Sequence, residues 1–275
     1  MSLRASSIAI ACALGVSALS QEPEAARHEL KWFQDAKLGI FIHWGIYSVN
    51  GTDESWAFYN KKVGYADYMK QLQGFTASKY DPAAWAELIQ RSGAKYAVIT
   101  TKHHDGVAMY ATRAYVGGGD WAWSAPGHLS VENVFNCGKD VVAPLFAALR
   151  ERKLGCGAYY SLIDWTDYNY PAFTKDSTRY AIKDDPARWK QFQNYFQLQI
   201  NEIATQLNPD LWWFDGDWEH SAEEWEAAKV RAMILEKNPR AIINGRLQGY
   251  GDYATPEQNI PVERPKELMP CSSQG

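Results

Sequence analysis

The chain has 275 residues, enough for one large domain or two small ones, and no change in composition marks a linker. Its formal net charge is −4 and it has no long basic run, which argues against a nucleic-acid-binding surface. Aromatic residues make up 14% of the chain, including 12 tryptophans and 16 tyrosines. Such a composition suits a pocket that stacks on sugar rings or on bases, and sugar is favoured because base binding would want a basic groove.

The N-terminus has the layout of a secretory signal peptide. Arg4 supplies a short positive region, residues 8–19 are apolar, and Ala18-Leu19-Ser20 offers a small-residue cleavage site. The apolar stretch is too short to span a bilayer, and no later stretch is long enough either. We therefore expect a signal peptide over residues 1–20 and one catalytic domain over residues 21–275; the alternative is that the first residues form a terminal helix of the domain.

The predicted mature chain keeps three cysteines, an odd number that gives no disulfide framework. Their spacing fits no zinc motif. Cys156 lies in a predicted strand, where a free cysteine behaves as a small buried hydrophobic residue. The sequence still allows a disulfide bridge between Cys137 and Cys271.

Short apolar runs alternate with amphipathic stretches along the rest of the chain. Strands are predicted at residues 39–42, 96–100, 157–161, 211–214 and 241–244, and helices at residues 82–93, 140–153, 186–206 and 221–237. Regular alternation of this kind predicts a parallel α/β fold. Both an open doubly wound sheet and a (β/α) barrel satisfy it, but no glycine-rich phosphate loop follows any strand, which weakens the first.

Polar side chains follow nearly every predicted strand, at the point where the strand ends. They are His43, His103-His104-Asp105, Tyr160-Ser161, Asp215 and Arg246. In a barrel all of these positions converge on one face, where active sites lie, so the barrel is favoured. A complete barrel needs about 250 residues, whereas this chain only reaches its fifth strand near residue 245. We therefore expect an incomplete (β/α)8-like, TIM-type barrel that lacks its last strands.

Carboxylates are the best-supported candidates for catalytic groups in this sequence. Asp215 ends an apolar run, Leu211-Trp212-Trp213-Phe214, and so stands at the tip of a predicted buried strand. Glycoside hydrolysis needs a second carboxyl group as proton donor. The candidates are Asp164, Asp217, Glu219, Asp252 and Glu257. Their order in the sequence does not show which of them is the proton donor.

Other kinds of chemistry have less support. His103 and His104 lie at a strand-to-loop turn where both can point into a cleft, and hydrogen bonding to a polar substrate is favoured over zinc because no third ligand has a defined spacing. No GxSxG elbow is present to support a serine nucleophile. No metal and no cofactor are expected.

Four motifs, in order, resemble the α-L-fucosidases of glycoside hydrolase family 29. They are Gly39-Ile40-Phe41-Ile42-His43-Trp44-Gly45-Ile46-Tyr47-Ser48-Val49, Thr101-Lys102-His103-His104-Asp105-Gly106, Tyr159-Tyr160-Ser161 and Trp213-Phe214-Asp215. The resemblance runs from about residue 29 to about residue 267. It implies a retaining exo-glycosidase that acts on terminal α-L-fucosyl linkages of fucosylated oligosaccharides or glycoconjugates, with a (β/α) barrel often followed by a C-terminal β-sandwich.

The resemblance also implies roles for individual residues. Asp215 stands at the nucleophile position, and Thr255-Pro256-Glu257 resembles the segment that carries the proton donor, so Glu257 is expected in that role. A retaining mechanism predicts that these carboxyl groups lie about 5–5.5 Å apart. The expected fucose-binding residues are His43, Trp56, His103, His104, Tyr160, Trp213 and Arg246. The family's usual Glu-Trp-Tyr reads Glu54-Ser55-Trp56 here, which leaves the role of Glu54 open.

The C-terminal tail departs from the family pattern. Pro265-Lys266-Glu267-Leu268 stands where a Trp-Glu pair usually leads into the later strands, and any β-sandwich is expected to be absent. We hypothesise a fragment or a disrupted 3′ end, with poor stability and weak activity. The alternatives are a catalytically impaired fucose-binding fragment and a different barrel glycosidase acting on galactosides.

The expected location follows from the signal peptide and the resemblance together. We expect the protein to be secreted to the periplasm or to the cell exterior, or delivered to the lysosome if it comes from an animal. No membrane span and no nucleic-acid partner are expected, and the oligomeric state is not predicted.

Overall fold

The computed structural model describes residues 30–114, 129–132 and 137–255. The strands in this part of the chain are β1 (Gly39–Ile42), β2 (Tyr96–Lys102), β3 (Gly155–Ser161), β4 (Ala172–Thr174), β5 (Ser177–Thr178), β6 (Leu211–Asp215) and β7 (Ile242–Ile243). The α-helices are α1 (Lys31–Ala36), α2 (Trp56–Tyr59), α3 (Tyr65–Met69), α4 (Gln71–Gly74), α5 (Pro82–Arg91), α6 (Ala143–Glu151), α7 (Pro186–Glu202) and α8 (Ala227–Lys237). Single turns of 3₁₀-helix lie at Ile46–Ser48 and Asp217–Glu219, and a π-helical turn, Ile203–Leu207, extends α7.

Five strands form one parallel sheet in the order β1-β2-β3-β6-β7, and β4 and β5 form a separate antiparallel hairpin. The strand order in the sheet follows the chain without reversal. A doubly wound sheet reverses its strand order at a switch point, whereas consecutive strands of a (β/α) barrel are neighbours throughout. The sheet is therefore the wall of a partial barrel, as the sequence predicts.

The two faces of this wall pack against different partners. The larger core lies between the sheet and the outer helices. A smaller cluster lies on the inner face, with the side chains of Val98, Tyr159 and Leu211 and with Phe33 of α1 packed on Tyr253 at 5.0 Å between ring centroids. Successive strand residues point to opposite faces, so every second side chain of β6, including Trp213 and Asp215, lies on the inner face.

The five predicted strands agree with the main sheet to within two residues at each end, and the predicted starts of α5 and α7 are confirmed. Asp81 caps α5 by accepting the N–H groups of Ala83 and Ala84. The carboxylate of Asp140 accepts the N–H groups of Val142 and Ala143, so α6 begins at Ala143 rather than at residue 140.

The helix expected over residues 221–237 is shorter than predicted. Ser221 and Glu224 form both hydrogen bonds of the capping box. The chain then continues as a turn, and Glu226 takes a left-handed conformation with φ of 49°. Helix α8 therefore begins only at Ala227.

A single bridge extends the pairing just beyond β7. Asn244 and Tyr253 form a parallel bridge, and the N–H of Gly245 donates to the carbonyl of Tyr253 at 2.6 Å. Arg231 of α8 holds this segment through an ion pair with Asp252 at 2.7 Å. The chain thus pairs with the edge of the wall again at Tyr253.

Several predictions fall outside the described residues: the signal peptide, the proton donor Glu257, and Cys271, whose pairing with Cys137 the sequence left open. Cys156 is buried, as expected from its strand position. Among the described residues, no helix is long and apolar enough to cross a membrane.

Candidate active site

The carboxyl ends of the parallel strands meet around Asp215, the last residue of β6. Its Oδ2 accepts a hydrogen bond from the Tyr159 hydroxyl at 2.8 Å, and its Oδ1 accepts one from Arg246 Nη1 at 2.6 Å. The Asp215 side chain is 13% exposed. One donor from β3 and one from the segment after β7 therefore fix the carboxylate, while part of it stays exposed.

Both histidines of the turn after β2 point into the same cleft. The pairing of β2 with β3 shifts register between Thr100 and Lys102, and such an irregularity re-aims the side chains that follow it. The rings of His103 and His104 lie 4.3 Å apart, and His104 Nε2 lies 3.8 Å from Asp215 Oδ2. His43, at the end of β1, packs edge-on against His103 at 4.9 Å.

The tautomer of His104 follows from its hydrogen bonds. Ser161 Oγ lies 2.6 Å from His104 Nδ1 and 2.7 Å from the carbonyl of Ile163. The single hydroxyl proton of Ser161 donates to that carbonyl, so its oxygen accepts from Nδ1–H. His104 Nε2 is then an unprotonated acceptor that is buried and has no hydrogen bond with any of the described residues. Burial lowers the pKa of His104 to about 4, so the ring is neutral near neutral pH.

We predict that Ser161→Ala moves the proton of His104 from Nδ1 to Nε2. The substitution removes the acceptor for Nδ1–H, whereas Nε2–H could donate towards Asp215. Long-range proton–nitrogen correlation spectra of histidine-labelled protein report the tautomer directly, and His104→Gln identifies the signal. An Nε2-protonated ring in the unsubstituted chain, or no change in Ser161→Ala, would contradict this assignment.

Glu54, whose role the sequence left open, lies beside His43. Its Oε1 is 3.4 Å from His43 Nε2, and its backbone has a positive φ of 24°, a strained conformation for a non-glycine residue. Burial, followed by the charge of Asp215, raises the pKa of Glu54. Ser55, the inserted residue of this motif, is fully buried and hydrogen-bonds His103 Nδ1.

His43, Glu54 and His103 bring three potential ligand atoms within 4.8 Å of one another. Two imidazoles and a carboxylate with this spacing could hold a divalent transition metal. The same three groups could equally bind the hydroxyls of a sugar.

The two tryptophans predicted for the pocket lie on different sides of it. Trp56 packs edge-on against His104 at 5.4 Å and against the buried Trp165 at 5.0 Å. Trp213 lies on the inner face, two residues before Asp215, and packs against Phe41 at 5.1 Å. Trp56 therefore lies on the side of the pocket formed by His104, and Trp213 lies on the inner face of the sheet beside Asp215.

The prediction that Tyr160 binds the ligand is wrong. Tyr160 pairs with Phe214 and points to the outer core, where its hydroxyl donates to Gln199 Oε1 at 2.8 Å. Tyr159, which pairs with Trp213, is the tyrosine that contacts Asp215. Strand parity carries this information, because a residue paired with Trp213 shares its face and a residue paired with Phe214 does not.

Each described candidate for the second carboxyl group is already engaged in an ion pair or in hydrogen bonds within the protein. Asp164 is buried against Lys102 at 3.4 Å, and Asp252 pairs with Arg231. Asp217 accepts the N–H of Gln248, and Glu219 is held by Trp165 and Tyr170, as detailed below. Glu257 lies outside the described residues, but Thr255, two residues before it, accepts a hydrogen bond from Arg246 Nε at 3.2 Å.

Several known α-L-fucosidases have a similar sequence and fold. One from Branchiostoma floridae is 31% identical over 229 residues, covering 76% of this chain and 46% of that protein. The solved structure of α-L-fucosidase isoenzyme 1 from Paenibacillus thiaminolyticus has a TM-score of 0.70 and 30% identity, covering 86% of this chain and 56% of that one. A GH29 α-L-fucosidase from Bacteroides thetaiotaomicron, trapped as a covalent intermediate with 2-fluoro-fucosyl fluoride, has a TM-score of 0.68 and 26% identity, covering 82% of this chain and 54% of that one.

The chain spans about half the length of the curated relatives it matches. The sequence model of the α-L-fucosidase family matches residues 13–273, nearly the whole chain. The partial barrel and the cleft around Asp215 agree with that match, and the chain belongs to the α-L-fucosidase family.

Proposed function

We propose that the chain is a retaining exo-glycosidase that hydrolyses terminal α-L-fucosyl linkages of fucosylated glycans. The observation that carries this proposal is the Asp215 carboxylate, held at a strand tip by Tyr159 and Arg246 with the acceptor His104 Nε2 3.8 Å away. A nucleophile needs a fixed carboxylate oxygen with open space in front of it. Family membership supports the same chemistry.

In the first step, Asp215 attacks the anomeric carbon and forms a carbon–oxygen bond as the glycosidic bond breaks. Glu257 gives its proton to the departing oxygen. In the second step, Glu257 takes a proton from water, which attacks the same carbon and releases Asp215, so the configuration is retained. The contact between Arg246 and Thr255 supports Glu257 in this role, because two residues span at most about 7 Å of chain.

The remaining pocket residues would recognise the sugar. His104 Nε2 can accept a hydroxyl proton because Ser161 holds the proton on Nδ1. His43, Glu54 and His103 offer further polar atoms on one side. Trp56 offers an aromatic surface for the methyl group and the apolar face of a 6-deoxy sugar.

The N-terminal sequence supports export as part of this proposal. Residues 1–20 would act as a signal peptide, and residues 21–275 would form the exported catalytic domain. A secreted or lysosomal location would bring the enzyme to fucosylated glycoconjugates.

Hydrolysis of nitrophenyl glycosides tests the proposed function. We expect the purified chain to release nitrophenol from the α-L-fucoside and not from the α-galactoside, and to produce the α anomer of fucose first when followed by NMR. Equal rates on both substrates, or the β anomer as first product, would contradict the proposal. Fucose binding without any turnover would instead identify a sugar-binding protein.

A further inference from the structure

Trp218 is a large apolar side chain presented to solvent at the edge of the active-site cleft. Its relative exposure is 52%, and among the described residues it is the only tryptophan with such high exposure. It lies three residues after Asp215, in the 3₁₀ turn Asp217–Glu219. Ligand pockets are lined predominantly by hydrophobic and aromatic side chains, so a half-exposed tryptophan beside a polar cleft is a candidate ligand contact.

The turn that carries Trp218 is fixed on both sides. Before it, Asp217 accepts the N–H of Gln248 at 2.9 Å through its carboxylate and the indole N–H of Trp225 at 2.9 Å through its carbonyl. After it, Glu219 accepts the indole N–H of Trp165 at 3.2 Å and the hydroxyl of Tyr170 at 2.5 Å. Hydrogen bonds thus hold Asp217 and Glu219 against the protein, and the indole of Trp218 between them is exposed to solvent.

Gly216 permits the sharp change of direction between Asp215 and this turn. Its φ is +82°, and a Cβ placed there would lie 2.6 Å from the side chain of Ile163. A glycine is therefore required on both conformational and steric grounds. The turn, with Trp218 on it, has a fixed position relative to Asp215.

The indole lies on the outer side of the sugar pocket. Its ring centroid is 6.1 Å from that of His104, in an edge-to-face arrangement, and His104 Nε2 in turn lies 3.8 Å from Asp215 Oδ2. A fucosyl unit bound against Asp215 and His104 would fill the inner pocket. The group attached to its anomeric oxygen would then leave the pocket past the rim that Trp218 forms.

We propose that Trp218 is a stacking platform for the sugar unit on the leaving-group side of the scissile bond, an inference that rests on the proposed hydrolysis of fucosides. The C–H groups of a pyranose face pack well on an indole ring, and about half of the Trp218 surface is exposed to solvent. Trp218 thereby favours glycan substrates over fucosides with a small leaving group.

Calorimetric titration in an Asp215→Ala background tests the platform without turnover. The ligands are free fucose and a set of fucosyl-N-acetylglucosamine disaccharides that differ in linkage. We expect Trp218→Ala to raise the Kd of the best-bound disaccharide about tenfold and to change the Kd of fucose less than about twofold. Trp218→Phe should retain most of the affinity, and Leu198→Ala, which removes a similarly exposed apolar side chain on α7, should change neither Kd.

The kinetic counterpart compares the same disaccharide with α-L-fucosyl fluoride, whose leaving group is a single atom. Trp218→Ala should lower kcat/KM for the disaccharide alone. Equal losses for fucose and the disaccharide, or no loss for either in the titration, would overturn the platform. A chain that binds these ligands as expected but hydrolyses neither substrate would contradict the proposed function and leave the platform supported.

Discussion

Asp215→Gly is expected to lower kcat on nitrophenyl α-L-fucoside by about 10⁴-fold or more, as removal of a covalent nucleophile does elsewhere. The substitution removes the oxygen that forms the glycosyl-enzyme and leaves a space beside Tyr159 and Arg246. Sodium azide should enter this space, attack the anomeric carbon and restore turnover. The product would be the β-fucosyl azide, because one displacement inverts the configuration.

A matched control lies two residues away in the same segment. Asp217→Asn removes a carboxylate charge but keeps an oxygen that can accept the N–H of Gln248. It should retain most of the activity and gain nothing from azide. Comparable losses in the two variants, or an Asp215→Gly variant that stays active without azide, would contradict a nucleophilic role for Asp215.

Asp164→Asn is expected to have the largest effect on folding stability, lowering the free energy of unfolding by about 3–5 kcal/mol. Lys102 is fully buried, and its Nζ lies 3.1 Å from the carbonyl of Ile163 and 3.4 Å from Asp164 Oδ2. Burial lowers the pKa of Lys102, and the charge of Asp164 opposes that shift. Asparagine keeps an acceptor for the N–H groups of Thr166 and Asp167 while it removes the counter-charge.

Urea denaturation of the single and double variants measures this effect. Adding Lys102→Met to Asp164→Asn removes both charges and should recover much of the lost stability, since a neutral pair has little desolvation cost. Stability of Asp164→Asn within about 1 kcal/mol of the unsubstituted chain would show that this ion pair is not what holds Lys102. The pair matters for the site because Lys102 directly precedes His103 and His104.

Hydrophobic pattern alone was enough to predict the five strands of the main sheet and the meeting of their polar ends. Short apolar runs such as Leu211-Trp212-Trp213-Phe214 are typical of buried strands, and regular alternation with helices indicates a parallel sheet. The position of Asp215 at a strand tip follows from the end of such a run. The placement of His43, His104 and Arg246 around Asp215 follows from barrel geometry.

The features of the fold and the site that the sequence did not predict depend on strand register and on local irregularities of the backbone. Tyr159 and Tyr160 are chemically equivalent in the motif, and only the pairing of β3 with β6 decides which of them faces Asp215. Ser161 and Ser55 were missed as partners of His104 and His103 because a small hydroxyl residue carries no periodic signal. The capping box at Ser221 was real, but local hydrogen bonds did not determine where α8 begins.

The most direct measurement is the capture of the glycosyl-enzyme on the chain itself. Incubation with 2-fluoro-fucosyl fluoride, proteolysis and peptide mass spectrometry should show a single 2-fluoro-fucosyl adduct, located on Asp215. A labelled Glu54, Asp217 or Glu219, or an unlabelled chain that nevertheless hydrolyses fucosides, would contradict the assignment of Asp215 as the nucleophile.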